Sequence, residues 1–146
     1  MTDVKSKHPI FDSLMDQAYD RWSAGMSKED FVNQLVGLEV FAVHYGNLNH
    51  QVENGGFAQW QGNQYQTDAS VGAIQTLLRM VGSDEAREVL DLLGQFIDLG
   101  DQDDLEEYEY EEWYDRQDQL NSQFCNINDV VLDQIEALFA SMSDQA

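Results

Sequence analysis

Apolar residues recur along this chain at spacings of three and four, and no run alternates apolar and polar residues convincingly with period two. That periodicity suits helices and not a sheet, because a half-buried strand turns successive side chains to opposite faces. Proline occurs once, at Pro9, where it fits the first turn of a helix. The expected fold is all-α: a single compact domain over residues 1–146, with its core at about 10–140 and about seven helices.

Pro9 opens a segment in which Ile10, Leu14 and Ala18, beside Phe11, Met15 and Trp22, follow helical spacing, and Gly25 closes it. Ser27, with Asp30 three residues on, approximates a capping box ahead of Phe31, Leu35 and Leu38. From Glu39 the pattern runs through Val40, Phe41, Val43 and Leu48 to Val52, after a break near Gly37. Asn54, Gly55 and Gly56 are expected to stop it, since glycine readily takes the left-handed conformation that ends a helix. Phe57 to Tyr65 reads as a short helix or turn, with Phe57 and Trp60 directed into the core. Asp68 is the expected N-cap of the next helix, which carries Val71, Ile74, Leu77, Leu78 and Val81 and ends at Gly82. Ser83 or Asp84 opens another, with Ala86, Val89, Leu90, Leu93, Phe96 and Ile97. A last helix follows Asn128 and presents Val131, Leu132, Ile135, Leu138 and Phe139.

Charge narrows the choice of partner. The chain carries 28 acidic and 7 basic side chains, a formal net charge of −21. A phosphate backbone and an anionic lipid surface both repel such a protein, so neither direct nucleic-acid binding nor electrostatic membrane docking is expected. Leu, Ile, Val and Phe still make up 37 of 146 residues, above the roughly 20% below which a highly charged chain tends to stay unfolded. The longest apolar stretch in the middle, Val40 to Val43, is too short to span a membrane. One cysteine, Cys125, forms no internal disulfide, and Met1 to Pro9 is polar and unlike a signal peptide, so the expected compartment is the cytoplasm.

The acidity is local. Residues 84–146 hold 19 acids and 2 bases, against 9 acids and 5 bases in residues 1–83. Within residues 98–118 lie Asp98, Asp101, Asp103, Asp104, Glu106, Glu107, Glu109, Glu111, Glu112, Asp115 and Asp118, with Arg116 as the one cation. On a helix, Asp104, Glu107, Glu111, Asp115 and Asp118 fall within about 80° of one another, while Tyr110, Trp113, Tyr114, Leu120 and Phe124 gather roughly opposite. Glu106 and Glu109 spoil the pattern, so either the helix begins later or those two lie at its margin. Like charges four apart cost a helix about 0.2–0.5 kcal/mol per pair, and cations to relieve them are almost absent. A helix of 21 residues would be about 32 Å long and face about 19 duplex phosphate charges, so ten net charges give about half the density of DNA. Asp84, Glu85, Glu88 and Asp91 raise that figure if their helix lies alongside. The bland readings are a solvated face kept for solubility, a loop of no specific role, or adaptation to high salt.

Other chemistry is poorly represented. His8, His44 and His50 with Cys125 show no zinc-ligand spacing, and the two later histidines either pack or face solvent. Cys125 beside Phe124 reads as a small buried residue. Asp101, Asp103 and Asp104 lack the loop pattern of a calcium site, and Gly55-Gly56 lacks the Lys and Ser/Thr of a phosphate loop. No catalytic residue, metal or cofactor is expected.

The most specific pattern is His50-Gln-Val-Glu-Asn-Gly-Gly-Phe-Ala-Gln-Trp-Gln-Gly-Asn63. It resembles the Glu-Val-Asn-Asn-Gly-Gly-Phe-x-Gln-Phe box, with a later Asn, of a bacterial family of unknown-function domains whose best-understood members are acidic DNA-mimic proteins. Val52, Asn54, Gly55, Gly56, Phe57, Gln59 and Asn63 match; Gln51 stands where that family has Glu, and Glu53 where it has Asn. A weaker likeness continues through Ala73, Leu77, Gly82 and Val89-Leu90. The resemblance implies an all-helical fold, a dimer as one form of assembly, and an Asp/Glu surface imitating duplex phosphates toward a basic DNA-binding protein such as a transcriptional regulator. Asn54, Gly55, Gly56 and Phe57 take a structural role, and the eleven carboxylates of 98–118 are the expected partner contacts, on the charge argument. Two rivals stand beside this reading. One is an immunity protein for a basic nuclease toxin, which a neighbouring toxin gene would reveal; the other is a small hydrolase with a concave pocket lined by Glu53 and Gln59.

Overall fold

Local signals set most of the helix ends. The computed structural model describes residues 7–22 and 25–144, so residues 1–6, 23, 24, 145 and 146 of the expected 1–146 domain lie outside the described residues. Pro9 is the first residue of α1 (Pro9–Asp20). Ser27 Oγ accepts a hydrogen bond from Asp30 N at 3.1 Å and opens the short α2 (Lys28–Asn33). The cap of α4 (Asp68–Val81) is Thr67, not Asp68: Thr67 Oγ1 accepts from Ser70 N at 3.1 Å, and Asp68 is the first helical residue. Gly82, at φ 68°, ends α4 as expected, and Ser83 caps α5 (Asp84–Leu99).

The glycines break the third helix as expected: α3 (Glu39–Gly62) is two helical segments that meet at Gly56, joined in one element. Only Gly56 leaves helical geometry, at φ 84° and ψ 177°, and the helix resumes at Phe57, so the glycines make a kink within one element. One expectation fails at longer range, at the last helix. It does not begin after Asn128. It is the 35-residue α6 (Tyr110–Asp144), with Asn128 fully buried in its middle. No strand occurs among the described residues, and the helices number six because these two elements absorb segments that looked separate.

Helix α3 lies at the centre, with α1, α4 and α6 against it, and α5 packs on α4 and α6. Phe96, late in α5, meets Trp113, early in α6, while Ser83 at the other end bonds Gln134; α5 and α6 are therefore antiparallel. The buried stripe of α6 is Trp113, Gln117, Leu120, Phe124, Asn128, Val131, Ile135 and Phe139. Its spacing of four, three and four repeats every 11 residues, about 3.67 per turn, which keeps one side of a nearly straight helix on the core. Burying Phe57 from the second half of α3 stabilises the packing by about 1.5–3 kcal/mol, and Trp60 is fully buried in the same core. The polar members of the stripe are satisfied: Asn128 Oδ1 accepts from the Tyr45 hydroxyl at 3.0 Å, and its amide donates to Asn49 and Glu53.

Charged groups tie α1 into place. Glu136 of α6 accepts from the backbone N–H groups of Ile10 and Phe11, both at 2.9 Å, and so caps α1 from across the fold. Arg21, following α1, donates from both terminal guanidinium nitrogens to Glu39 at the head of α3 and from Nε to Gln34, and Glu39 also accepts from Val36 N. Glu39 is almost fully buried, and the arginine bonds hold its carboxyl below the ordinary range. Among the described residues, no helix is long and apolar enough to cross a membrane.

Candidate functional site

The acidic segment is not one helix. After Gly100 the chain makes two 3-10 turns, Gln102–Asp104 and Glu107–Glu109, before α6 begins at Tyr110. The helix thus starts later than Glu106, and the expected five-carboxylate face is corrected. Glu111, Asp115 and Asp118, with Glu112, lie on α6; Asp104 and Glu107 lie on the turns. A single 32 Å helical ruler against DNA does not apply. The like-charge cost is also smaller than a helix interior would give. Glu111 and Glu112 occupy the first turn of α6, where the helix dipole favours each carboxylate by about 0.3–1 kcal/mol.

All eleven carboxylates from Asp98 to Asp118 are solvent-exposed. Among the described residues the ion pairs are His8–Asp133, Arg21–Glu39 and Arg87–Asp84, so none of the eleven is paired to a cation. Arg116 donates to Gln119 instead. The aromatic residues divide. Trp113 is buried and donates its indole N–H to Gly100 O at 3.2 Å, whereas Tyr108 is 84% exposed and Tyr110 and Tyr114 remain about 40% exposed. Trp113, Leu120 and Phe124 therefore form the packing side, and the tyrosines share the carboxylate surface. Asp84, Glu88 and Asp91 are exposed on α5. Asp84 follows directly on Ser83, the residue that meets Gln134, so this group begins at the opposite end of the hairpin from Glu111.

The box holds this surface in place. The kink at Gly56 leaves the amides of Phe57 and Ala58 without helical acceptors, and α6 supplies them: Asn121 Oδ1 for Phe57 N at 2.8 Å and Gln117 Oε1 for Ala58 N at 3.1 Å. Asn121 also donates to Gln117, which in turn donates to Asp118. One turn further on, Gln102 fastens the acidic loop. Its backbone N–H and side-chain amide donate to Gln61 Oε1, the amide also donates to Ala58 O at 3.0 Å, and its Oε1 accepts from the Tyr114 hydroxyl. Gln61, Gln102, Gln117 and Asn121 were not legible as site residues; their one signal is the density of amides between 117 and 123 and around 61.

Gln51, at the position where the box has Glu, serves as a double acceptor: its Oε1 takes hydrogen bonds from Gln59 and Asn63, both at 2.8 Å. A carboxylate would offer the same acceptance. Glu53 and Asn54 are exposed on the other side of α3, and the clefts described for this fold are lined by residues other than Glu53 and Gln59. Cys125 is exposed, not buried, because Phe124 takes the core position and the next residue lies about 100° around the helix. His44 is buried and His50 exposed. Among the described residues, no three His, Cys, Asp or Glu converge as metal ligands.

A family model described as DMP19-like protein matches residues 38–142. The chain belongs to the DMP19-like family. No curated protein and no solved structure matches it. The DMP19-like segment takes in the kinked helix, the acidic loop and nearly all of α6, that is, the carboxylate surface together with the amides that position it. Helices α1 and α2 precede it.

Proposed function

We propose that this DMP19-like protein is a DNA mimic whose carboxylates at 98–118 stand in for duplex phosphates and occupy the DNA site of a basic DNA-binding protein. The observation that carries the reading is the eleven exposed carboxylates in 21 positions, with no cation among the described residues paired to any of them. DNA-binding proteins contact backbone phosphates through Lys and Arg, and carboxylates accept the same charge-assisted hydrogen bonds. A surface left unneutralised within its own fold retains that capacity for a partner. The exposed Tyr108, Tyr110 and Tyr114 add flat faces on which a guanidinium can stack. On this reading the protein acts by association, without catalysis, and its partner is a transcriptional regulator, a nucleoid protein or a defence protein.

The test uses a partner recovered from host lysate at low salt. Its affinity for this protein should fall steeply as salt rises, and duplex DNA should compete for the same site. Replacing Glu107, Glu111, Glu112 and Asp115 by Gln or Asn should weaken binding at least about tenfold. Asp118 is left intact because it accepts from Gln117 within the scaffold. Unchanged affinity in that variant, or a ternary complex with DNA, would falsify the mimicry.

A further inference from the structure

A second feature lies outside the acidic segment. Between α2, α3 and the start of α4 is a cleft of about 670 Å³, within the roughly 300–1,000 Å³ range of small-molecule sites. Half of its lining precedes the family-matched segment. Its lining is mainly apolar and includes the aromatic side chains of Trp22, Phe31 and Tyr65. Polar side chains join them, and three come from the two helices that form its inner side: His44 and Asn47, one turn apart on α3, and Ser70 in the first turn of α4.

Among the described residues, these polar groups keep hydrogen-bonding capacity that the fold does not use. His44 is 5% exposed and Ser70 3% exposed, yet neither the imidazole nor the hydroxyl makes a hydrogen bond; the Ser70 bond to Thr67 uses only its backbone N–H. Asn47 accepts from the Tyr19 hydroxyl through Oδ1, which leaves its NH₂ group unused. His44 and Ser70 are buried residues and Asn47 is partly buried, and their unused polar atoms open onto the cleft, where they are available to a ligand. Burial holds the His44 pKa below its ordinary value, which favours the neutral ring with one donor and one acceptor nitrogen.

The charge around the cleft selects further. Lys28 is already committed: its ammonium donates to Asn63 O at 2.8 Å and lies 4.3 Å from the centre of the Tyr65 ring, and Glu29 is its neighbour. Residues 1–83, which include the whole lining, still hold 9 acids against 5 bases, so an anionic ligand meets net repulsion here. We propose that this cleft binds a small, uncharged heteroaromatic molecule with hydrogen-bond donors and acceptors on its rim, the chemistry of a nucleobase. The exposed side of Trp22, which packs on Phe31, gives the ring its apolar contact, and His44, Asn47 and Ser70 read its edge.

The test titrates ¹⁵N-labelled full-length protein with adenosine, guanosine, cytidine and uridine, following the His44 ring signals by NMR. Indole, which has no acceptor rim, and adenosine 5′-monophosphate serve as comparisons. At least one nucleoside should shift His44 saturably in the submillimolar range. Its binding should weaken about tenfold in His44→Phe and severalfold in Ser70→Ala, which leaves the Thr67 cap intact, and indole should bind at least tenfold more weakly. If His44→Phe fails to fold, Ser70→Ala and the wild-type titration decide. The proposal is overturned if no nucleoside moves His44, if indole binds equally well, if the monophosphate binds more tightly than its nucleoside, or if Ser70→Ala leaves binding unchanged.

Discussion

Gly56 is the residue at which the smallest change should cost most. Its φ of 84° with ψ of 177° is a conformation essentially reserved for glycine, and holding another residue there costs on the order of 1–3 kcal/mol. A Cβ would also stand 2.2 Å from Asn121 Nδ2 and 2.9 Å from its Cγ. Gly56→Ala should therefore lower unfolding free energy by at least that amount in urea titrations. Gly55→Ala should cost clearly less, because its φ is not in the left-handed region and the nearest obstruction is the end of the flexible Gln59 side chain. Equal losses would mean that the glycine pair is not read through the kink. The sequence marked Gly56 correctly as a break in helical geometry. It could not show what satisfies the amides just after the break, because the acceptors for Phe57 and Ala58 come from residues about sixty positions away.

At the scale of elements, α1 depends on carboxylates from its neighbours. Glu136→Ala removes both acceptors for Ile10 and Phe11 and should cost about 0.5–2 kcal/mol, the usual range for a lost helix cap. Glu136→Gln, which keeps one acceptor, should lose less, as thermal melts of the two variants would show. The Arg21–Glu39 contact gives a pH signature. Its carboxyl titrates lower when folded than when unfolded, so its contribution is present above the ordinary glutamate value of about 4.3 and is lost as pH falls through the lower folded value. Melting curves from pH 7 to 3 should converge for Glu39→Gln and wild type at the acid end; parallel curves would assign the acid limb to other carboxylates. The start of α6 was the element the sequence hid best. Its core stripe carries Gln117 and Asn128 among aromatic and aliphatic residues, and those two amides interrupt the apolar pattern where the packing is continuous. The eleven carboxylates were legible individually, but their division between turns and helix was not, since the 3-10 turns depend on the bonds of Gln102 to α3.

For the whole molecule, salt should act with opposite sign on the free protein and on its complex. A chain of net charge −21 repels itself, and raising ionic strength toward 1 M shortens the screening length to about 3 Å. The free protein should become more stable, by about 2–4 °C in melting temperature for each kcal/mol of repulsion relieved. Binding to a basic partner should weaken over the same range. A melting temperature that falls with salt would indicate that local ion pairs outweigh the global field. The clamp between α6 and the kink has a further consequence. Gln117 and Asn121 share about two and a half turns with Glu112, Asp115 and Asp118, so the helix cannot slide or roll without releasing Phe57 and Ala58. The carboxylates behave as graduations on a ruler whose zero mark is fixed to the core. One residue inserted after Arg116 would preserve every charge while turning the graduations before it by about 100°, leaving a protein of the same acidity that points it in the wrong direction.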